Sequence, residues 1–129
     1  MKKFLFFVAF CLISTLGFSQ AQKSIENSSN CDIEATLYYA EPGSCAIVGS
    51  ITYVVGANNF VLAVAPSGYE FVYAEVSFAG CSRTGQFLTV GCGPCNPGYP
   101  STASAGFKCD VKCVDLYAFY ECGIHLIVQ

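Results

Sequence analysis

The chain has no tryptophan, one histidine (His125) and one arginine (Arg83). With a single imidazole, two-histidine zinc hydrolase sites and phosphoryl-relay centres lack parts. Basic residues are scarce altogether. Beyond Lys2 and Lys3, only Lys23, Arg83, Lys108 and Lys112 stand against nine acidic side chains, a net charge of −5. Nucleic acid and anionic lipid both call for clustered Lys and Arg, so neither is an expected partner. No Gly-Lys-Ser/Thr element is present to cradle phosphate, and Asp110, Asp115 and Glu121 do not fall at calcium-loop spacing. After Phe18 no apolar run approaches the ~20 residues of a spanning helix. No cofactor is expected.

The first 21 residues, MKKFLFFVAFCLISTLGFSQA, combine Lys2 and Lys3, an apolar run from Phe4 to Phe18 and a small residue at the end. That is the layout of a cleaved secretory signal peptide, with Ser19 and Ala21 at the −3 and −1 positions. Its Phe-rich composition resembles the signals of flavobacteria and their relatives. Cys11 lies inside the apolar run after Phe10, without the small residues that a lipoprotein acceptor cysteine follows. Secretion to the cell surface, periplasm or exterior is therefore expected, with no membrane span in the mature chain.

Eight cysteines remain after cleavage: Cys31, Cys45, Cys81, Cys92, Cys95, Cys109, Cys113 and Cys122. An even number in a small exported chain reads as a disulfide framework. Three lie before residue 82 and five after it. Both counts are odd, so at least one bond must join the two regions if all pair internally.

Residues 22–30, QKSIENSSN, are polar and read as a flexible lead-in. Period-two alternation then begins: Cys31, Ile33, Ala35, Leu37 and Tyr39 share one face, opposite Asp32, Glu34, Thr36 and Tyr38. Further β-rich runs follow at 46–55, 60–65, 69–78 and 86–90, separated by turn signals such as Pro66-Ser67-Gly68. Residues 91–106, rich in Gly, Pro and Ser, read as a long loop. Alternation resumes at 107–115, residues 114–121 are ambiguous between strand and helical turn, and 124–128 suggest a closing strand. The expected fold is all-β: one small, disulfide-braced antiparallel β-sandwich or barrel over residues 31–129, with a Cys-rich C-terminal third.

Cys92-Gly93-Pro94-Cys95 has the residues of a thioredoxin reactive site. Thiol-disulfide exchange through Cys92 and Cys95 is thus an enzymatic alternative. Yet Asn96, Pro97, Gly98 and Pro100 follow at once and oppose the helix that would lower a thiol pKa. Four thiolates, Cys92, Cys95, Cys109 and Cys113, also have zinc-like spacing, against which stand the oxidising destination and the leftover Cys122. The stretch CGPCNPGYPSTASAGFKCDVKC resembles the Cys-rich modules of ephrin-receptor-like and tumour-necrosis-factor-receptor-like extracellular proteins, through Cys92, Cys95, Pro97, Gly98, Ser101, Gly106, Cys109 and Cys113. That resemblance implies bonds Cys92 to Cys109 and Cys95 to Cys113, a structural role and no catalysis.

Among binding candidates, Tyr69, Phe71 and Tyr73 lie opposite Val72, Ala74 and Val76, so this strand is apolar on both sides. Burial of both faces in a paired-sheet core is the expectation; the alternative is an aromatic face offered to a glycan or protein. Tyr99, in the 91–106 loop, is a further candidate. Arg83, in a turn after Cys81, could fill a protease pocket as an inhibitor loop does. His125 reads as a strand residue in an apolar tail. Asp32 and Glu34 read as a solvated strand edge rather than a catalytic pair. The expected function is a secreted, non-enzymatic binding or structural module for a protein or glycan. An inhibitor or effector acting through Arg83 or the 91–106 loop is the alternative.

Overall fold

A computed structural model describes residues 21–81, 85–107, 112–122 and 125–129. Nine strands are formed: β1 Gln22–Asn27, β2 Ile33–Ala40, β3 Ile47–Val55, β4 Asn59–Val64, β5 Glu70–Phe78, β6 Leu88–Gly91, β7 Thr102–Gly106, β8 Asp115–Tyr120 and β9 His125–Val128. They make two sheets. Sheet A runs β4-β1-β9-β8-β7 and sheet B runs β3-β2-β5-β6. All strand pairs are antiparallel except β1 with β9. The sandwich form of the expected all-β fold is thus the one adopted.

Alternation of side chains selects the core. Ile33, Ala35 and Leu37 of β2, with Ala74, Val76 and Phe78 of β5, face Ile25, Leu116, Ala118, Leu126 and Val128 of sheet A in one buried cluster. Alternation breaks at the end of β2, where the register shifts at Tyr38/Tyr39 and again at Tyr39/Ala40. Such irregularities re-aim side chains; here Ala40 turns inward and Tyr39 stays half-exposed. The Pro66-Ser67-Gly68 turn forms as its composition implies. Tyr69 N–H donates to Pro66 O at 3.1 Å, and Gly68 takes φ +85°, open to glycine at little cost.

Two segments differ from expectation. Residues 22–30 are not a flexible lead-in, since Gln22–Asn27 form β1, paired with β4 on one side and β9 on the other. Its inward positions are Lys23, Ile25 and Asn27, and the two polar ones are bonded rather than hydrated. Asn27, 1 % exposed, donates through Nδ2 to the carbonyls of Cys31 (2.8 Å), Val55 (3.1 Å) and Gly56 (3.0 Å). Its Oδ1 accepts from Ser29 N–H at 3.1 Å and Ser29 Oγ at 2.7 Å. One amide therefore ties the β1–β2 turn to the end of β3. Within 91–106, residues 102–106 are also strand. The small residues of β7 are held by backbone pairing with β8, with Ala103 and Ala105 packed half-buried against the core.

Lys23 is 3 % exposed. Its ammonium donates to Glu121 O at 2.9 Å and lies 3.7 Å from the centre of the Tyr120 ring. Desolvation outweighs the nearby Glu121 charge and lowers its pKa to about 8. Between pH 8 and 10.5 the unfolded chain thus holds a proton that the folded chain has shed, and stability rises with pH. Each unit across that window is worth up to ~1.4 kcal/mol. Above pH 10 the sign reverses, because the folded state keeps the protons of Tyr120 and Tyr73, both raised chiefly by burial, and of Tyr38, raised chiefly by desolvation and held to about 12. Urea unfolding of the wild type at pH 7.5 and 9.5 should show the rise, and Lys23→Met should flatten it and be the more stable protein at pH 7.5. An unchanged slope in the variant would mean that Lys23 is hydrated.

Candidate functional site

β5 is central in sheet B, between β2 and β6, but its aromatic face is not covered by a second layer. Val72, Ala74 and Val76 point into the core, while Tyr73 stands half-exposed on the outer face. The expected burial of both faces is therefore corrected for Tyr73. Sheet A supplies one packing surface, and among the described residues the other side of sheet B is shielded by its own side chains and by the 92–100 loop. Register places Tyr38 of β2 directly opposite Tyr73, and the two rings stack at 4.4 Å and 11°. Tyr99 closes on the other side of Tyr73 at 4.9 Å and 51°. The result is a three-ring ladder across the outer face. Tyr69 pairs separately with Tyr39 at 5.5 Å, and Phe71 packs against the edge of the core.

Polar groups are set among the rings. Tyr38 Oη donates to Glu75 Oε2 at 3.0 Å; desolvation, then this bond and the Glu75 charge, push the Tyr38 pKa to about 12. Tyr73 is also raised, by desolvation and then by Tyr99 and Glu75. Both phenols therefore stay protonated, as donors, across the physiological range. Thr36 and Thr52 share a hydrogen bond of 2.9 Å between β2 and β3, and Glu34 lies on the same side of β2 as Tyr38. Among the described residues, no Lys, Arg or His lies on β2, β3, β5, β6 or residues 92–100.

Tyr99 is delivered by a loop built for close approach. At Gly91, opposite Tyr73, an added Cβ would come within 2.8 Å of both Tyr73 Cβ and Asn96 Oδ1. Any larger residue would lift the loop off the sheet. Asn96 then clamps Tyr99 twice: Nδ2 donates to its carbonyl at 2.7 Å and Oδ1 accepts its N–H at 3.1 Å. Gly91 N–H donates to Pro100 O at 2.9 Å, completing the fold-back.

Three disulfides are defined, Cys31–Cys113, Cys45–Cys95 and Cys92–Cys122, and Cys81 is disulfide-bonded as well. The first two join the early cysteines to the late ones. Cys92 and Cys95 do not bond to each other. Cys92 reaches the β8–β9 connection and Cys95 the turn between β2 and β3, so Cys-Gly-Pro-Cys brackets the end of the sandwich that carries Tyr99. The pairing implied by the receptor-module resemblance, Cys92 to Cys109 and Cys95 to Cys113, is not formed. Nearness in sequence gives way to which turns the two sheets bring together.

The remaining candidates separate. Arg83 and Cys109 lie outside the described residues. Asp32 precedes β2, and its Oδ1 accepts Ala57 N–H at 2.9 Å, which braces the β3–β4 turn. His125 begins β9 beside Ser24. No group of three or more His, Cys, Asp or Glu side chains among the described residues is arranged to hold a metal, and no described helix is long and apolar enough to cross a membrane. Two clefts, about 260 Å³ beside Glu26, Asn58 and Phe60 and about 510 Å³ beside Ser104, Asp115 and Tyr117, lie on sheet A, away from the ladder. Sequence reasoning found Tyr73 and Tyr99 but missed Tyr38 and Glu75. Tyr38 sat on the face assigned to solvent, and only the β2–β5 register reveals its stacking. No family model, curated relative or solved structure matches the chain.

Proposed function

We propose that this protein is a secreted, non-enzymatic binding module, exported by a cleaved signal peptide at residues 1–21 to the cell surface, periplasm or exterior. It engages an uncharged glycan on the outer face of sheet B. The observation that carries this reading is the half-exposed Tyr38–Tyr73–Tyr99 ladder set among carboxylates and threonine hydroxyls on a face without cations among the described residues. Sugar C–H faces pack on aromatic rings, and phenol, hydroxyl and carboxylate groups exchange hydrogen bonds with sugar hydroxyls. The described residues of this face include no Lys or Arg to pair with sulfate, phosphate or uronate groups. The bracketing disulfides lower the entropy lost on binding by holding Tyr99 in place beforehand. Bonding of Cys92 and Cys95 to separate partners supports a structural rather than a redox role for them.

Affinity electrophoresis and calorimetry against neutral cell-wall and matrix polysaccharides test the reading. Tyr99→Ala should weaken binding about tenfold, in line with ~1–1.5 kcal/mol for an aromatic contact, with a melting temperature close to wild type. Tyr73→Ala should weaken it further. Absence of binding to every neutral polysaccharide at millimolar sugar would refute the glycan assignment. The same braced loop, residues 92–100, also supports the inhibitor or effector reading, which a protease panel would address.

A further inference from the structure

Among the described residues, no strand pairs with the outer edge of β3 in sheet B. β3 is nine residues long and terminal in its sheet, so every second residue turns its N–H and C=O away from β2. Proteins ordinarily blunt such edges with Lys, Pro, a bulge or a covering loop. β3 reads IVGSITYVV and contains no charge and no proline. Its one irregularity lies at the Ile47 end, leaving Gly49–Val55 in regular register. The other edges are shorter or occupied. β6 has four residues and is flanked by the 92–100 fold-back. β7 has five residues. β4 has six, and its Val64 N–H already meets Tyr53 Oη at 3.4 Å.

Exposed apolar side chains gather on the same flank. Val54 is 65 % exposed, Val48 53 % and, on the adjoining β4, Phe60 69 %, with Ile47 and Leu62 also exposed. β4, NFVLAV, is likewise uncharged. In a mature chain of net charge −5, two copies repel over most of their surfaces. The β3/β4 flank is where they approach without bringing carboxylates together. β3 is also self-complementary about its central residue, Ile51. Antiparallel pairing of two copies over this regular stretch sets Ser50 against the partner's Thr52, hydroxyl with hydroxyl, and carries the exposed Val54 toward the apolar Ile47–Val48 end of the partner strand.

We propose that two copies of this chain associate through antiparallel β3–β3 pairing about Ile51, joining their four-stranded sheets into one eight-stranded sheet with twofold symmetry. The tyrosine ladders of both copies then lie on one continuous face, so the dimer is bivalent toward a repeating ligand. The pairing itself does not depend on what that ligand is.

The test is sedimentation velocity with light scattering on the disulfide-intact protein from 1 to 200 µM. Wild type should run as a dimer at the upper concentrations. Thr52→Lys combined with Val54→Lys, which sets like charges beside the symmetry axis, should run as a monomer throughout, with circular dichroism and melting temperature close to wild type. Tyr73→Ala, on β5, should leave the dimer intact. A wild type that is monomeric at 200 µM would overturn the proposal and leave the edge to a strand from a different protein. A dimer that survives both lysines would overturn it as well.

Discussion

Asn27→Ala should cost about 3–5 kcal/mol and lower the melting temperature by about 15–25 °C, a large loss for one buried amide. The expectation follows from what the substitution leaves behind. Nδ2 serves three carbonyls, those of Cys31, Val55 and Gly56. The carbonyl of Cys31 retains Ser29 Oγ at 3.0 Å, but alanine offers nothing to Val55 and Gly56 or to the Ser29 N–H. Each buried polar group stripped of its partner costs about 1–3 kcal/mol. Asn27→Asp discriminates further. It keeps the shape and the Ser29 contacts but turns an oxygen toward those three carbonyls, so its carboxyl resists ionisation. The aspartate variant should be less stable than alanine at pH 7 and recover toward it at pH 4–5. Denaturant unfolding at both pH values reads this directly; parity of the two variants at every pH would mean that the amide is not the hub described.

The second large effect is expected at Cys31–Cys113, which spans 82 residues. By loop-closure entropy, removing it as Cys31→Ala with Cys113→Ala should cost about 4–5 kcal/mol. The corresponding double variants at Cys45–Cys95, separation 50, and Cys92–Cys122, separation 30, should cost about 4 and 3.5 kcal/mol. Paired replacement avoids a stray thiol that would exchange with the remaining bonds. The three variants should separate in function even where they are close in stability. Loss of Cys45–Cys95 or Cys92–Cys122 loosens the loop carrying Tyr99 and should weaken ligand binding, whereas loss of Cys31–Cys113 should leave binding intact at temperatures where the fold persists. A reversed order in binding would remove the bracket from its assigned role.

Much of sheet B was legible in advance, and β4 of sheet A with it, because β2, β3, β4 and β5 alternate β-branched and aromatic residues between clear turn signals. β1 was not. Its inward positions are Lys23, Ile25 and Asn27, and a hydrophobic pattern registers only the middle one. The other two are buried on the strength of Glu121 O, the Tyr120 ring and three backbone carbonyls, all but that of Cys31 distant in sequence. β7, built of Thr, Ala, Ser and Gly, carries only a weak side-chain signal, the two alanines that meet the core, and depends on its ladder with β8. The site was half visible for a related reason. An aromatic row on β5 announces itself, but whether it is covered depends on how many layers the fold has, and its partner Tyr38 depends on register. Disulfide pairing is a property of which turns meet in space, and local spacing of cysteines misleads about it.

The connectivity also bears on how the molecule is made. Cys31 pairs with Cys113, Cys45 with Cys95 and Cys92 with Cys122, and each of these bonds passes over at least two other cysteines along the chain. An oxidase that couples thiols in their order along the chain begins with wrong partners, Cys31 to Cys45 first. Correct bonds then come only by exchange, after residues near the far end have arrived to fill the space between the sheets. An expression host that forms disulfides without isomerising them should accumulate oxidised but misfolded chains, and added isomerase should recover them.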